Sequence, residues 1–181
     1  MPHKRRPDIP TETKGEERTK NPVLVLGIGN PIFTDDGAGI YAVRLAKARF
    51  PGDGVDFIEA EVGGFDLLQY ILDYKAVLIV DAAITGLTEP GDIYLVDTDA
   101  LPTGLSTRAH GAGLGTALSV GRSLNLRLPT RIELLAIEAS DITTVGEIPT
   151  TPVADAIRPA VEQILLLARQ LCDEVASPCM N

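Results

Sequence analysis

Three polar residues far apart in the chain carry the chemistry that this sequence can do. Asp36 stands in Thr34-Asp35-Asp36-Gly37, after an apolar run from Val23 to Leu26 and a glycine turn at Gly27 and Gly29. Asp81 directly follows a second apolar run, Val77-Leu78-Ile79-Val80. His110 sits in Ser106-Thr107-Arg108-Ala109-His110-Gly111, and the only other histidine, His3, lies in a polar N-terminal segment. Each has a plain structural alternative. An Asp in a first helical turn stabilises the positive helix end, an Asp after a strand caps a loop, and a loop histidine is simply solvated. Two adjacent acids exceed what one helix start needs, so Asp35 is expected to cap while Asp36 points into a cleft. Two carboxylates in one crevice repel unless one is protonated or a cation lies between them. With an imidazole they form an N,O,O set suited to nickel, zinc, copper or iron.

Other chemistries lack their residues. Gly27-Ile28-Gly29-Asn30-Pro31-Ile32 begins like a dinucleotide fingerprint, but Ile32 holds the place of the third glycine. No Gly-x-Ser-x-Gly elbow and no His-Glu-x-x-His run occurs, which argues against a serine triad and a zincin. In Glu61-Val62-Gly63-Gly64-Phe65-Asp66, Gly63 and Gly64 offer room for a substrate backbone to pass; the alternative is an ordinary strand-to-helix turn. The two cysteines, Cys172 and Cys179, suit neither a disulfide framework nor a four-cysteine zinc site.

The surrounding pattern shows what must position these residues. Strands are expected at 23–28, 55–60, 76–80 (ending at Asp81), 93–96 and 131–137, where Ile132, Leu134 and Ala136 alternate. Helices are expected at 39–50, 65–72, 111–124 and about 152–173. The last has an apolar stripe of Val153, Ile157, Val161, Ile164, Leu165, Ala168 and Leu171. Thr151 is its expected N-cap with Pro152 at the first helical position, and Pro159 is expected to kink or restart it. Alternating strands and helices predict an α/β fold: three layers, α/β/α, with a mostly parallel twisted sheet of about five strands and helices on both faces. Such sheets bind ligands at the carboxyl ends of their strands. If the first and third strands are neighbours, Asp36 and Asp81 share that crevice.

The chain has 181 residues, enough for one core. Residues 1–20 are expected to be a disordered extension, 21–176 a single domain and 177–181 a tail. Net charge is −9. The first twenty residues hold six Lys and Arg against four Asp and Glu; the rest, with ten against twenty-one, stands at −11. So acidic a domain repels phosphate backbones and attracts cations or a basic peptide, so nucleic acid is not an expected partner. No apolar run approaches the roughly 20 residues of a membrane helix, and no apolar segment follows the basic N-terminus as in a secretory signal. The expected location is the cytoplasm.

Over residues 23–171 the chain resembles the hydrogenase maturation endopeptidases, which trim the C-terminal extension from the large subunit of nickel–iron hydrogenases. The resemblance rests on Leu26-Gly27-Ile28-Gly29-Asn30 with Asp35-Asp36-Gly37, on Asp81 after its apolar run, on His110 after a Ser-Thr segment, and on Thr151-Pro152-Val153. Glu is common in the family at the place of Asp36, and Arg108 and Ala109 stand as extra residues before His110. The resemblance implies that Asp36, Asp81 and His110 are both the metal ligands and the catalytic residues. It further implies that the metal is nickel carried by the precursor, for which cadmium or zinc could substitute in a crystal. Asn30, Gly63 and Gly64 would contact the substrate. The metal would polarise the scissile carbonyl or activate water, and binding would weaken as pH falls through about 6.5, where imidazole gains its proton. A non-catalytic nickel-binding maturation protein and a small-molecule metallohydrolase are the rival classes; a nucleotide-binding module is weaker.

Overall fold

The computed structural model describes residues 20–101 and 110–177, for 110–112 the backbone alone. The expected N-terminal extension up to residue 19, the segment 106–109 and Cys179 lie outside the described residues.

Apolar runs form the strands: Val23–Ile28 (β1), Val55–Ala60 (β2), Ala76–Ala83 (β3), Ile93–Val96 (β4) and Arg131–Glu138 (β5). They make one sheet in the order β2-β1-β3-β5-β4, in which β4 alone runs antiparallel to its neighbour. β1 is buried along its whole length, as an uninterrupted Val/Leu/Ile strand inside a parallel sheet must be. Its alternate residues enter different cores. Val23 and Val25 pack with residues of helices Ala38–Arg49 (α1) and Thr151–Ala176 (α4); Leu24, Leu26 and Ile28 pack with residues of Leu67–Ile71 (α2) and His110–Ser123 (α3). The result is the expected three-layer α/β/α arrangement.

Local expectations are corrected at three places, in β3, over 65–72 and in α4. β3 does not end at Asp81. Its ladder to β5 continues through Asp81↔Ala136, Ala82↔Ile137 and Ala83↔Glu138, so backbone pairing carries a buried acid inside the strand. The segment expected as one helix over 65–72 is a 3₁₀ turn, Gly64–Asp66, followed by α2. The N-cap of α4 is Thr150, not Thr151, and the helix runs through Pro159 for 26 residues without restarting. Proline removes one helical hydrogen bond, but the expected stripe is buried on both sides of it and holds the helix together.

Candidate metal centre

The site is built by seating α1 directly on the ends of two strands. A Cβ added at Gly39 would lie 2.3 Å from the Val80 carbonyl oxygen and 2.6 Å from that of Ile28. Only glycine lets the helix come so close. The seating brings the 3₁₀ turn Asp35–Gly37 beside β3 just where β1 has finished. The β1–β3 ladder stops at Gly27↔Val80, so Asp81 is the first β3 residue beyond it. Gly29, at φ +134°, folds the preceding loop so tightly that a Cβ there would sit 1.8 Å from the Asp36 carbonyl oxygen. Within that loop the Asn30 N–H donates to Asp36 Oδ2 at 2.8 Å.

Both acids are buried, Asp36 at 5% exposure and Asp81 at 3%. Burial pushes the Asp81 carboxyl well above the usual carboxylate range; the negative charge of Asp36 pushes it further, and a bond from the Ala82 N–H partly opposes. Such a pair is poised either to keep a proton or to exchange it for a cation.

Strand alternation places Asp81 with Val77 and Ile79, on the face that α2 and α3 cover. The first residue of α3 is His110. That helix begins against the glycine loop: a Cβ at Gly113 would meet Gly64 Cα at 2.8 Å and Gly64 N at 3.0 Å. The structure therefore brings Asp36 and Asp81 together and starts the His110-bearing helix at the same sheet edge, on the face to which Asp81 belongs. Among the described residues no three His, Cys, Asp or Glu side chains form a cluster able to hold a metal ion.

The remaining candidates have local roles. Asn30 Oδ1 accepts the Ile32 N–H at 3.1 Å and so shapes its own loop. Gly63 is extended, and Gly64, at φ +59°, has open space where a Cβ would stand. A cavity of about 350 Å³ lined by Val96, Thr98, Arg122 and Glu133 lies at the opposite, amino edge of the sheet, away from the acids.

Two further carboxylates organise this edge: Asp35, whose expected capping role the structure corrects, and Glu138, which the sequence reading missed. Asp35, fully buried, accepts the backbone N–H groups of Ser140, Asp141 and Thr150 and the Thr150 hydroxyl. It does not cap its own helix but ties the β1–α1 loop to the β5–α4 loop. Glu138, also buried, accepts the N–H groups of Thr85 and Gly86 and the hydroxyls of Thr85 and Tyr94. Burial alone would raise its pKa; these bonds outweigh it and hold the carboxyl below its ordinary range. The alternation Ile132, Leu134, Ala136 ends on Glu138, and an acid in that apolar series was the available signal.

Known proteins share both sequence and fold with this chain. The model of the hydrogenase maturation protease family matches residues 40–166. The hydrogenase expression/formation protein HupD of Bradyrhizobium diazoefficiens is 32% identical over 146 residues, which are 78% of this chain and 75% of HupD. The hydrogenase 2 maturation protease of Escherichia coli is 27% identical, over 82% of this chain and 91% of that protein. The solved structure of the hydrogenase maturating endopeptidase HybD from E. coli superposes with a TM-score of 0.72 at 26% identity, covering 82% of this chain and 92% of HybD.

Proposed function

We propose that this chain, which belongs to the hydrogenase maturation protease family and is a peptidase of that class, removes the C-terminal extension of a nickel–iron hydrogenase large-subunit precursor after nickel has been inserted. The expected place of this reaction is the cytoplasm. Among the described residues no helix is long and apolar enough to cross a membrane. One observation supports the reading above the others: two buried carboxylates, Asp36 and Asp81, meet at the carboxyl edge of the sheet, and the Asp36 charge acts on Asp81. Their repulsion is relieved when a divalent ion replaces the proton.

In this reading the nickel belongs to the substrate. Asp36, Asp81 and His110 hold it while the precursor supplies its other ligands, so a precursor without metal is a poor substrate. The ion polarises the scissile carbonyl or activates water. Water's hydroxyl adds to the carbonyl carbon, its remaining proton goes to the leaving amine, and the amide C–N bond breaks. Gly64 and its neighbour Gly63 give the substrate backbone room, and Asn30 borders it.

The test is incubation with nickel-loaded and metal-free precursor, read by mass. The expected result is loss of the extension from the loaded precursor only, and none with H110A. Equal cleavage of both precursors would remove nickel recognition from the reading; cleavage of neither would remove the substrate. Normal processing by H110A would remove His110 from the site.

A further inference from the structure

Four loops leave the carboxyl edge of the sheet, at 29–37, 61–66, 84–92 and 139–150, and all four carry large apolar side chains into solvent. Ile32, Phe65, Ile84, Leu87, Val145 and Ile148 are all exposed, with Leu87 at 90% and Ile148 at 81%. Water-exposed apolar groups gathered around a site mark an interaction surface. These loops are also held in place. Phe33 bridges Val145, the Gly146 N–H donates to the Ile32 carbonyl at 2.9 Å, and Glu138 fixes the Thr85-Gly86 turn. A groove of about 380 Å³ lined by Thr85, Leu87, Asp92 and Tyr94 runs beside the most exposed of them.

The charge of the same loops selects the occupant. Besides the buried Asp35 and Asp36 they hold six Asp and Glu residues, and no Lys or Arg. The connections at the opposite edge (20–22, 51–54, 72–75, 97–101 and 124–130) are balanced, with three Lys and Arg against four Asp and Glu. An apolar rim set among carboxylates fits a polypeptide segment that places Lys or Arg beside large apolar side chains, and repels an acidic one.

We infer that this rim docks a basic, apolar segment of the precursor, separate from the metal-bearing residues that enter between Asp36 and Asp81. The inference rests on the proposed function for the identity of the precursor. It adds that the acidic, apolar edge accounts for much of the affinity and that this affinity falls with salt.

The experiment measures equilibrium binding of the nickel-loaded precursor to the full chain, with cleavage scored separately. L87S/I148S and E89K/E147K are each expected to weaken binding at least tenfold. L124S, an exposed change at the far end of α3, is expected to bind as the parent does. Raising NaCl from 0.05 to 0.5 M is expected to weaken parent binding and to affect E89K/E147K much less. Binding within twofold of the parent for L87S/I148S overturns the docking surface; the same result for E89K/E147K overturns the basic occupant. If the parent binds in this rim-dependent way but never cleaves, the proposed function falls and the docking surface stands.

Discussion

Asp35 accepts both hydrogen bonds that Thr150 can donate: the backbone N–H at 2.6 Å and the hydroxyl at 2.9 Å. With the Ser140 and Asp141 N–H groups on the same carboxylate, this one side chain joins the turn carrying Asp36 to the start of α4. The neighbouring acids thus divide their work, one holding the edge together and the other facing Asp81.

The division has a direct test in stability. D35N puts an amide N–H₂ where an acceptor is required on one side of the side chain, leaving buried donors facing a donor. A loss of about 2–4 kcal/mol is expected by urea denaturation. D36N keeps the shape and removes one of two repelling charges, so it should unfold at the parent midpoint or above. If the two variants are equally destabilised, the assignment of roles is wrong.

Asp81 should make stability depend on pH in the sense opposite to most carboxylates. Its folded pKa lies above the ordinary 3.8 because it is buried and near the Asp36 charge. The folded protein therefore binds the extra proton between the two values. The contribution is fully present below the unfolded pKa and is lost as pH rises through the folded one. D81N should accordingly be more stable than the parent at pH 7.5, with the difference shrinking toward zero below 3.8; each unit of upward displacement corresponds to about 1.4 kcal/mol. Denaturation midpoints of both proteins from pH 3 to 8 check this, and a difference that does not change with pH would count against it.

Much of the fold was legible because single stretches of sequence determine it. The run Val23 to Leu26 has no polar residue to turn outward, which only a strand buried on both faces allows. The seven-residue stripe of α4 repeats at helical spacing and is buried throughout. What sequence could not supply was pairing across distance. That Asp81 lies inside β3 follows from Ala136 opposite it, and no local signal announces that partner. Asp35 was expected to serve its own helix, as short-range capping rules suggest; its partners lie 105 to 115 residues away. Thr151 looked like the cap of α4 because Pro152 follows it, yet Thr150 is taken by Asp35 and marks the boundary instead. The placing of Asp36 near Asp81 was legible, because two adjacent acids ask for two positions and the strands before them are neighbours.

The Glu138 network predicts an unusual tyrosine. Burial first, and its bond to Glu138 second, together raise the Tyr94 hydroxyl to about 12. The folded value is raised, so this contribution to stability is present below pH 10 and is lost as pH rises through 12. Ultraviolet titration should show a tyrosine ionising near 12 that is absent from Y94F. In E138Q its midpoint should move back toward 10, and the variant should lose about 1–3 kcal/mol because the Thr85 and Gly86 N–H donors now share a weaker acceptor. An unchanged tyrosine titration in E138Q would show that burial alone sets the value.

Gly113 tests how tightly the start of α3 is registered against the rest of the edge. A Cβ there would press on the Gly64 backbone at 2.8 Å, and backbone cannot rotate aside as a side chain can. G113A must therefore lift the first turn of α3, and with it His110 three residues earlier, away from the glycine loop. Alanine is the better helix former by about 1 kcal/mol, which offsets much of the strain, so the unfolding midpoint should move little. In the proposed reading His110 is a ligand, and a ligand set works only when its members are held to within a fraction of an ångström, so processing of the nickel-loaded precursor should fall at least tenfold. Both quantities can be measured on one preparation. Parent-level processing by a folded G113A would show that the helix start need not sit against Gly64 for the reaction to proceed.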